Sequence, residues 1–348
     1  MRLQGLLQPL IENEKFIDIS MGLKTKTFPI NIVGLSESGK SYIIDAISNE
    51  IDNSLVVVTH NEIEAKNLYD DLSFYMKDKV EYIGFQDILF YHLDAKDRSE
   101  EAKRLKVLLK LAKGENIILV TSIEAVMRKY IPKEILLENI YTYKIGDVIN
   151  LEKLSETLVN LGYERVSKIE GFGQFSIRGG IVDIFSLEYN NPIRMELFDD
   201  EIDSIRTFDV FSQKSIDKIK KVVITPSREF IYPEDTTSAV EKIKEETNKY
   251  TDDDVLKNIE NISDRTYFQG VENYIDYLYD DQNKSIFSYL PDNGIVVMSD
   301  ISRLKERCEN YLNEFKDNYN LNLERGLAIK NQGNLIYSYE ELPYILED

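Results

Sequence analysis

Short, fully apolar segments alternate with longer segments of helical periodicity through the first 130 residues. Leu55–Thr59 and residues 117–121 are the clearest apolar segments, and residues 62–76 repeat apolar side chains near helical spacing. Strands that are apolar on both sides must be covered on both faces, as in a parallel sheet packed between helices. The alternation therefore predicts an α/β core, with strands at 28–33, 55–59, 80–84 and 117–121 and helices at 62–76 and 99–113.

The pattern changes near residue 131, where short strands separated by glycine-containing turns replace the long helices. Within residues 173–178, Phe175 and Ile177 alternate with polar neighbours, which is typical of a half-buried antiparallel strand. We therefore predict an α+β insert over residues 131–232. Its predicted elements are a helix at 151–161 and strands at 163–169, 173–178, 180–186, 193–199 and 202–209.

Helical patterns return at about residue 233, interrupted by one apolar strand at 294–298. This strand resembles those of the first third, and we expect it to complete their sheet. The predicted organisation is a core built from residues 1–130 and 233–348, with the insert 131–232 between the two parts.

Composition excludes several functional classes. The chain has 62 acidic and 42 basic residues, a net charge of −20, and the acidic excess is greatest after residue 233. This balance argues against a stand-alone nucleic-acid-binding protein, which needs a cationic surface. One cysteine, Cys308, and two histidines exclude a disulfide framework and a His-rich metal site. No apolar run reaches the roughly 20 residues of a membrane span, so we expect a cytoplasmic protein.

Residues 34–41 match the phosphate-binding P-loop, with Gly34, Gly39, Lys40 and Ser41 in the motif positions. In such a loop, backbone amides surround the phosphates, the lysine neutralises them and the serine hydroxyl binds Mg²⁺. The sequence thus predicts a possible site for ATP, ADP or phosphate with Mg²⁺, although no cofactor is required. The alternative is a glycine-rich turn that only caps a helix.

The acidic residues that a P-loop ATPase needs are missing from the ends of the neighbouring strands. Such enzymes hold Mg²⁺ with a strand-end carboxylate, commonly followed by a catalytic glutamate. Here the strand 294–298 ends in Ser299 and Asp300, which supply one carboxylate, and the strand 55–59 ends in His60. We therefore expect no efficient hydrolysis and assign no catalytic or metal-binding residue.

The insert contains the most distinctive motifs of the chain, and further ones lie in the core. These motifs are Leu161–Tyr163, Gly173–Phe185, Glu196–Ile202, Phe208–Gln213, Gly114–Ser122 and Phe287–Pro291. Together they resemble the N-terminal UvrB-like module of bacterial transcription-repair coupling factor (Mfd). The resemblance covers nearly the whole chain and implies a degenerate P-loop, RecA/helicase-like parallel-sheet core with an inserted antiparallel domain.

Three departures distinguish the chain from UvrB itself and from other coupling factors. Residues 85–103 are too few to form the DNA-wedging β-hairpin of UvrB, and Ser299–Asp300 replaces its Asp-Glu pair. The P-loop, which we expect to be degraded in most coupling factors, is intact here. The resemblance also implies an N-terminal fragment of a longer, ATP-dependent DNA translocase.

By the resemblance, the insert docks on UvrA of nucleotide excision repair through Arg165, Arg178 and Glu196, whereas Ser176 replaces a further UvrB arginine. The implied function is recruitment of UvrA to stalled RNA polymerase. The family module also contacts and restrains its own translocase, and reaches polymerase and DNA through C-terminal domains missing here. The alternative functional class is an active P-loop ATPase or DNA-remodelling module. For Arg178, the alternative to a docking role is an ordinary exposed arginine on a strand.

Overall fold

The computed structural model describes residues 4–51, 53–90 and 98–342. Its strands are β1 (Leu55–Thr59), β2 (Val80–Ile83), β3 (Ile118–Ser122), β4 (Tyr141–Lys144), β5 (Glu164–Arg165), β6 (Gln174–Arg178), β7 (Ile181–Ile184), β8 (Ile193–Phe198), β9 (Glu201–Phe208), β10 (Ser215–Ile219), β11 (Lys221–Ile224) and β12 (Ile295–Met298). Its α-helices are α1 (Gln4–Ile11), α2 (Glu14–Thr25), α3 (Glu37–Glu50), α4 (Glu62–Met76), α5 (Arg98–Ala112), α6 (Ile123–Met127), α7 (Lys133–Glu138), α8 (Leu151–Asn160), α9 (Thr237–Glu246), α10 (Asp253–Ser263), α11 (Ile275–Leu278) and α12 (Ile301–Glu324).

The core is organised around a four-stranded parallel sheet in the order β12-β1-β3-β2. The strand β1 lies between β12 and β3, and pairs with both in parallel register. Every residue of β1 and β3 is buried, as their apolar sequences predict. Because β12 lies about 240 residues after β1 in the chain and pairs with it directly, the prediction that residues 294–298 complete the first sheet is confirmed.

The two faces of this sheet bury alternate residues of the same strand. Leu55 and Val57 of β1 belong to an apolar cluster that includes residues of α3 and α4. Val56 and Val58 belong to a second, larger cluster that includes residues of α5 and α12. The sheet is therefore covered by helices on both sides, which confirms the predicted α/β class.

The predicted strand at residues 28–33 is wrong. These residues pair with no strand of the described structure, and β12 and β2 form the edges of the sheet. Ile30 and Ile32 are partly buried against the cluster that contains Leu55 and Val57, while Val33 is 89% exposed. Pro29 also lacks the N–H group that a strand needs for its ladder. The alternating apolar residues thus cover one side of the core without joining the sheet.

The insert is a six-stranded sheet in the order β10-β9-β8-β7-β6-β5, accompanied by α8 and the antiparallel pair β4–β11. The strands β6 to β10 are antiparallel neighbours, and a separate apolar cluster fills the space under the sheet. Four predicted strands are confirmed with small shifts of their ends. The fifth, predicted at 163–169, is only the two-residue strand β5.

Three strands of the insert, β4, β10 and β11, were not predicted. Four of the five residues of β10 are exposed, so its sequence shows little of the alternation that a half-buried strand requires. The pair β4–β11 joins segments that lie about 80 residues apart, a contact that no local pattern reveals.

The last third contributes both aliphatic and aromatic side chains to the larger apolar cluster. Tyr274, Tyr277 and Tyr279 are at most 5% exposed, so this aromatic segment is packed inside the protein. Cys308 is fully buried in α12, and Asp252 caps α10 by accepting a hydrogen bond from the amide of Asp254. Within the described ranges, no helix has both the length and the apolar character that a bilayer crossing requires.

Candidate functional site

The glycine-rich segment folds as the capped start of a helix. The helix α3 begins at Glu37, and Ser36 is its N-cap. The Ser36 hydroxyl accepts a hydrogen bond of 3.2 Å from the amide of Gly39, and its carbonyl accepts one of 3.1 Å from the amide of Lys40. A phosphate-binding loop leaves such amides free for the ligand. Here two of them are occupied by the helix cap.

The ammonium group of Lys40 is paired with carboxylates of the chain itself. Its Nζ lies 2.6 Å from Oε1 of Glu64 and 3.2 Å from Oε1 of Glu37. Glu64 is held in the first turn of α4, where its amide donates a 2.8 Å hydrogen bond to the capping side chain of Asn61. The lysine charge that would meet a phosphate is therefore already neutralised.

Glu64 is the centre of this polar cluster at the carboxyl ends of the strands. Its Oε1 also accepts a 3.1 Å hydrogen bond from Ser299, and its Oε2 lies 2.5 Å from Nδ1 of His60. Burial, the largest single cause, would raise the pKa of Glu64, but the hydrogen bond and charge of Lys40, together with the charge of His60 and the hydrogen bond from Ser299, lower that pKa. Burial likewise opposes the charge of Lys40, and the two glutamates raise its pKa above the usual value.

The remaining motif residues are also engaged within the protein. The hydroxyl of Ser41 is nearly buried and donates a 3.1 Å hydrogen bond to the carbonyl of Ser38. Asp300 caps α12 and pairs with Arg303 at 3.3 Å, so its carboxylate serves the helix start. In the part of the chain that the structure describes, no group of three or more His, Cys, Asp or Glu side chains could hold a metal ion.

The second candidate site is the outer face of the insert sheet, the side opposite the apolar cluster. Alternate residues of β6 to β9 project from this face, and most of them are charged or carry a hydroxyl group; the exception on β7 is Ile181, which pairs with Arg178 and Glu196. We call the charged and hydroxyl members the arginine face. Its members are Ser176, Arg178, Asp183, Arg194, Glu196, Ser204 and Arg206.

Asp183 is the most buried charged residue of the arginine face, with 2% of its surface exposed. It accepts hydrogen bonds of 2.6 and 2.8 Å from Nε and Nη2 of Arg194, and one of 2.8 Å from Nη2 of Arg178. Arg178, one of the predicted docking residues, keeps 51% of its side chain exposed. One buried carboxylate therefore anchors two arginines.

Glu196, a second predicted docking residue, is already paired across the sheet. It accepts a 2.9 Å hydrogen bond from the hydroxyl of Ser204, and its other carboxylate oxygen pairs with Arg206. Ser176, which replaces a UvrB arginine according to the resemblance, is 1% exposed and donates to the carbonyl of Ser167. This position therefore offers no group to a partner.

Arg165, the third predicted docking residue, lies at the edge of the sheet on β5. It is exposed, and within the described ranges no carboxylate pairs with it. The ladder pairs Arg165 with Phe175, whose side chain points into the apolar cluster, whereas Arg178 projects outward. Paired residues project to the same side of a sheet. Arg165 and Arg178 therefore project from opposite faces of the insert sheet.

Sequence reasoning missed Asp183, Arg194 and Arg206 as members of the arginine face. Alternation was the available signal for Asp183 and Arg194, which each lie between two apolar residues, whereas Arg206 lies between Ile205 and Thr207. Asp183 lies inside the motif Gly173–Phe185, but no local pattern shows that two arginines from different strands bind to its carboxylate.

The α/β parallel core with an antiparallel insert is consistent with the UvrB-like fold that the resemblance implies. The family model that describes the UvrB interaction domain matches residues 142–230, within the predicted insert. This part of the chain is therefore similar to the UvrB interaction domain.

Longer matches identify the kind of protein more closely. Over 345 residues, 95% of this chain, the sequence is 30% identical to the transcription-repair-coupling factor of Bacillus subtilis (strain 168). That of Staphylococcus aureus (strain USA300) is 30% identical over 291 residues, 80% of this chain. The aligned regions are 29% and 25% of these relatives, so the chain spans less than a third of their length. These comparisons confirm the resemblance to the UvrB-like module of coupling factors.

Proposed function

We propose that this chain is the UvrA-recruiting module of a transcription-repair-coupling factor. The observation that carries the proposal is the UvrB interaction domain at residues 142–230, whose arginine face is open to solvent at Arg178. In this proposal the insert provides the docking surface, and the parallel-sheet core supports it.

The charge of the arginine face supports an acidic partner surface. The face has one more positive than negative charge, whereas the chain as a whole has a net charge of −20. Its charged members are Arg178, Arg194 and Arg206 against Asp183 and Glu196. Arginine is well suited to such interfaces because its planar guanidinium binds carboxylates through two hydrogen bonds. A locally cationic surface on an anionic protein favours a specific protein contact over DNA.

We further propose that the core does not hydrolyse ATP. The proposal is supported by the pairing of Lys40 with Glu64, by the early start of α3 at Glu37 and by the single carboxylate of Asp300. The competing class, an active P-loop ATPase, requires a free lysine and a strand-end acidic pair. Nucleotide, phosphate and Mg²⁺ are therefore not required ligands in this proposal.

The wider role is proposed from the relatives. Because they are named transcription-repair-coupling factors, we propose that this module connects UvrA to a stalled RNA polymerase through other parts of such a protein. We also propose that the module restrains the translocase and that DNA is contacted elsewhere.

Isothermal titration of the purified chain with UvrA tests the proposed function. The wild-type chain is expected to bind, and Arg178→Glu is expected to bind at least tenfold more weakly. Lys153→Glu is the matched control, because Lys153 is an exposed basic residue on α8, away from the arginine face. Absence of binding by the wild-type chain, or equal loss in both variants, would contradict the proposal.

A further inference from the structure

We propose that Asp183 is the positioning residue of the docking face. It holds one nitrogen of the Arg178 guanidinium and leaves the rest of that group turned outward to bind a carboxylate of the partner protein. The inference rests on the proposed function, because it assumes that the arginine face is the surface that meets UvrA.

The first step of the argument is the burial of Asp183. Its carboxylate is 2% exposed although it belongs to the outer side of the sheet, where it faces Ser176 on one neighbouring strand and Arg194 on the other. A carboxylate removed from water is strongly destabilising unless cations and hydrogen bonds compensate. Three hydrogen bonds from two arginines supply this compensation.

The second step is the difference between the two arginines. Arg194 donates twice to Asp183 and once, at 3.2 Å, to Gln213, and its guanidinium lies 4.5 Å from the ring centre of Phe208. Only 14% of its side chain is exposed. Arg194 is therefore fully engaged, and its role is structural.

Arg178 differs because only its Nη2 contacts Asp183, at 2.8 Å. Among the described residues, no other hydrogen-bond acceptor or carboxylate contacts its guanidinium, and 51% of the side chain is exposed. A guanidinium has five N–H donors in a fixed planar arrangement. Holding one nitrogen restricts the orientation of the group, so the remaining donors stay on its solvent-exposed side.

The third step is the ligand that such a group fits. A fixed guanidinium binds a carboxylate through two parallel hydrogen bonds, and its prior ordering reduces the entropy lost on binding. The net charge of −20 disfavours a DNA phosphate as the ligand. We therefore assign the Arg178 position to an aspartate or glutamate on the partner protein.

A double-mutant cycle tests this role. UvrA affinity is measured for the wild type, Asp183→Asn, Arg178→Ala and the double variant. We expect Asp183→Asn to weaken binding by about tenfold in the wild-type background and by less than about twofold in the Arg178→Ala background, because coupled residues are non-additive. Equal weakening in both backgrounds would mean that Asp183 acts only on the fold, and would overturn the inference.

Asp203→Asn is the matched control for the lost charge. Asp203 is an exposed aspartate on β9, and no group among the described residues contacts its carboxylate. We expect this variant to keep wild-type affinity. If Asp203→Asn weakens binding as much as Asp183→Asn, net charge explains the effect and the positioning role is wrong.

Arg178→Lys provides a test that does not depend on Asp183, because a half-exposed lysine at this position preserves the fold. Lysine keeps the charge but lacks the planar group. We expect at least tenfold weaker UvrA binding with an unchanged melting temperature, and wild-type affinity would overturn the inference. A different result would contradict the proposed function itself, namely wild-type affinity for UvrA in the Arg178→Glu variant. Salt-sensitive binding of duplex DNA that is lost in Arg178→Ala would assign the face to phosphate and also overturn the inference.

Discussion

The ammonium group of Lys40 lies 2.6 Å from the carboxylate of Glu64, which joins the start of α3 to the first turn of α4. Ser299, at the end of β12, donates to the same carboxylate oxygen. This arrangement places a carboxylate of the protein where a P-loop lysine would meet the phosphate of a nucleotide. Glu64 therefore connects three elements of the core, and no role in hydrolysis is needed to explain the contacts of Lys40.

Substitution of Lys40 by alanine should destabilise the core without affecting docking. The change leaves Glu64, whose side chain is 12% exposed, without its main cation. We expect the free energy of unfolding to fall by about 1–3 kcal/mol, the usual range for such losses, and the affinity for UvrA to stay unchanged. Chemical denaturation and titration with UvrA measure the two quantities.

Glu37→Gln is the control for this substitution. The side chain of Glu37 is 81% exposed, so its ion pair with Lys40 should contribute little. A loss of UvrA binding by a folded Lys40→Ala variant would contradict the assignment of the core as a support.

The Lys40–Glu64 pair should contribute to stability over a defined pH range. The folded-state pKa of Glu64 is lowered from 4.5, so its contribution is fully present above that pH and is lost as the pH falls through the folded pKa. The pKa of Lys40 is raised from 10.5, so its contribution is present below that pH and is lost as the pH rises through the folded pKa. The pair is therefore fully effective between these values.

Urea unfolding of the wild type and Glu64→Gln measures this contribution. The difference in their free energies of unfolding should be largest near pH 7 and should shrink as the pH falls below 4.5 and through the lowered pKa of folded Glu64. A difference that stays constant from neutral to acidic pH would mean that the ion pair does not stabilise the fold.

ATP turnover by the purified chain should be negligible, and Glu64→Gln should not restore it. The substitution frees Lys40, but the strand end of β12 still offers only Asp300, whose carboxylate caps α12. Phosphate release is measured for the wild type, Glu64→Gln and Lys40→Ala. Turnover that Lys40→Ala abolishes would assign this chain to the active P-loop class.

Much of the fold follows from local patterns. Two strands, β1 and β3, are apolar throughout because both of their faces are buried, and β6 alternates because only one of its faces contacts the apolar cluster. The sequence therefore predicts the ends of these strands within one or two residues. Residues 28–33 have a similar pattern, but their place in the structure depends on whether a neighbouring strand is available, which sequence patterns do not reveal.

The candidate site was less predictable for the same reason. The P-loop motif is defined by residues 34–41, yet its lysine pairs with Glu64, which lies on the next helix and outside the motif. Arg178 was predicted from the resemblance, whereas Asp183, which orients it, depends on strand register. Part of the segment compared with the UvrB hairpin, residues 91–97, lies outside the described residues, so its predicted absence stays a prediction.

The isolated chain should bind duplex DNA poorly at physiological salt. Its net charge of −20 opposes the approach of a polyanion, and the arginines of the insert are largely paired with carboxylates. Fluorescence anisotropy with a short duplex at several salt concentrations measures this affinity. Sub-micromolar binding that weakens steeply with salt would contradict the prediction.

The charge reversals Arg165→Glu and Arg178→Glu should each weaken UvrA docking, with the larger effect at Arg178. Loss of one partner of a desolvated interfacial charge pair costs about 2–5 kcal/mol, and about 1.4 kcal/mol corresponds to a tenfold change in affinity. The expected loss is therefore roughly thirtyfold or more at Arg178, where the new carboxylate would also face Asp183. Arg165 lies at the sheet edge and pairs with Phe175 on the other side of the ladder, so we expect a smaller loss there. Titration with UvrA, together with circular dichroism and melting curves, separates docking from folding. Wild-type affinity in both variants, with unchanged melting, would mean that neither arginine belongs to the docking surface.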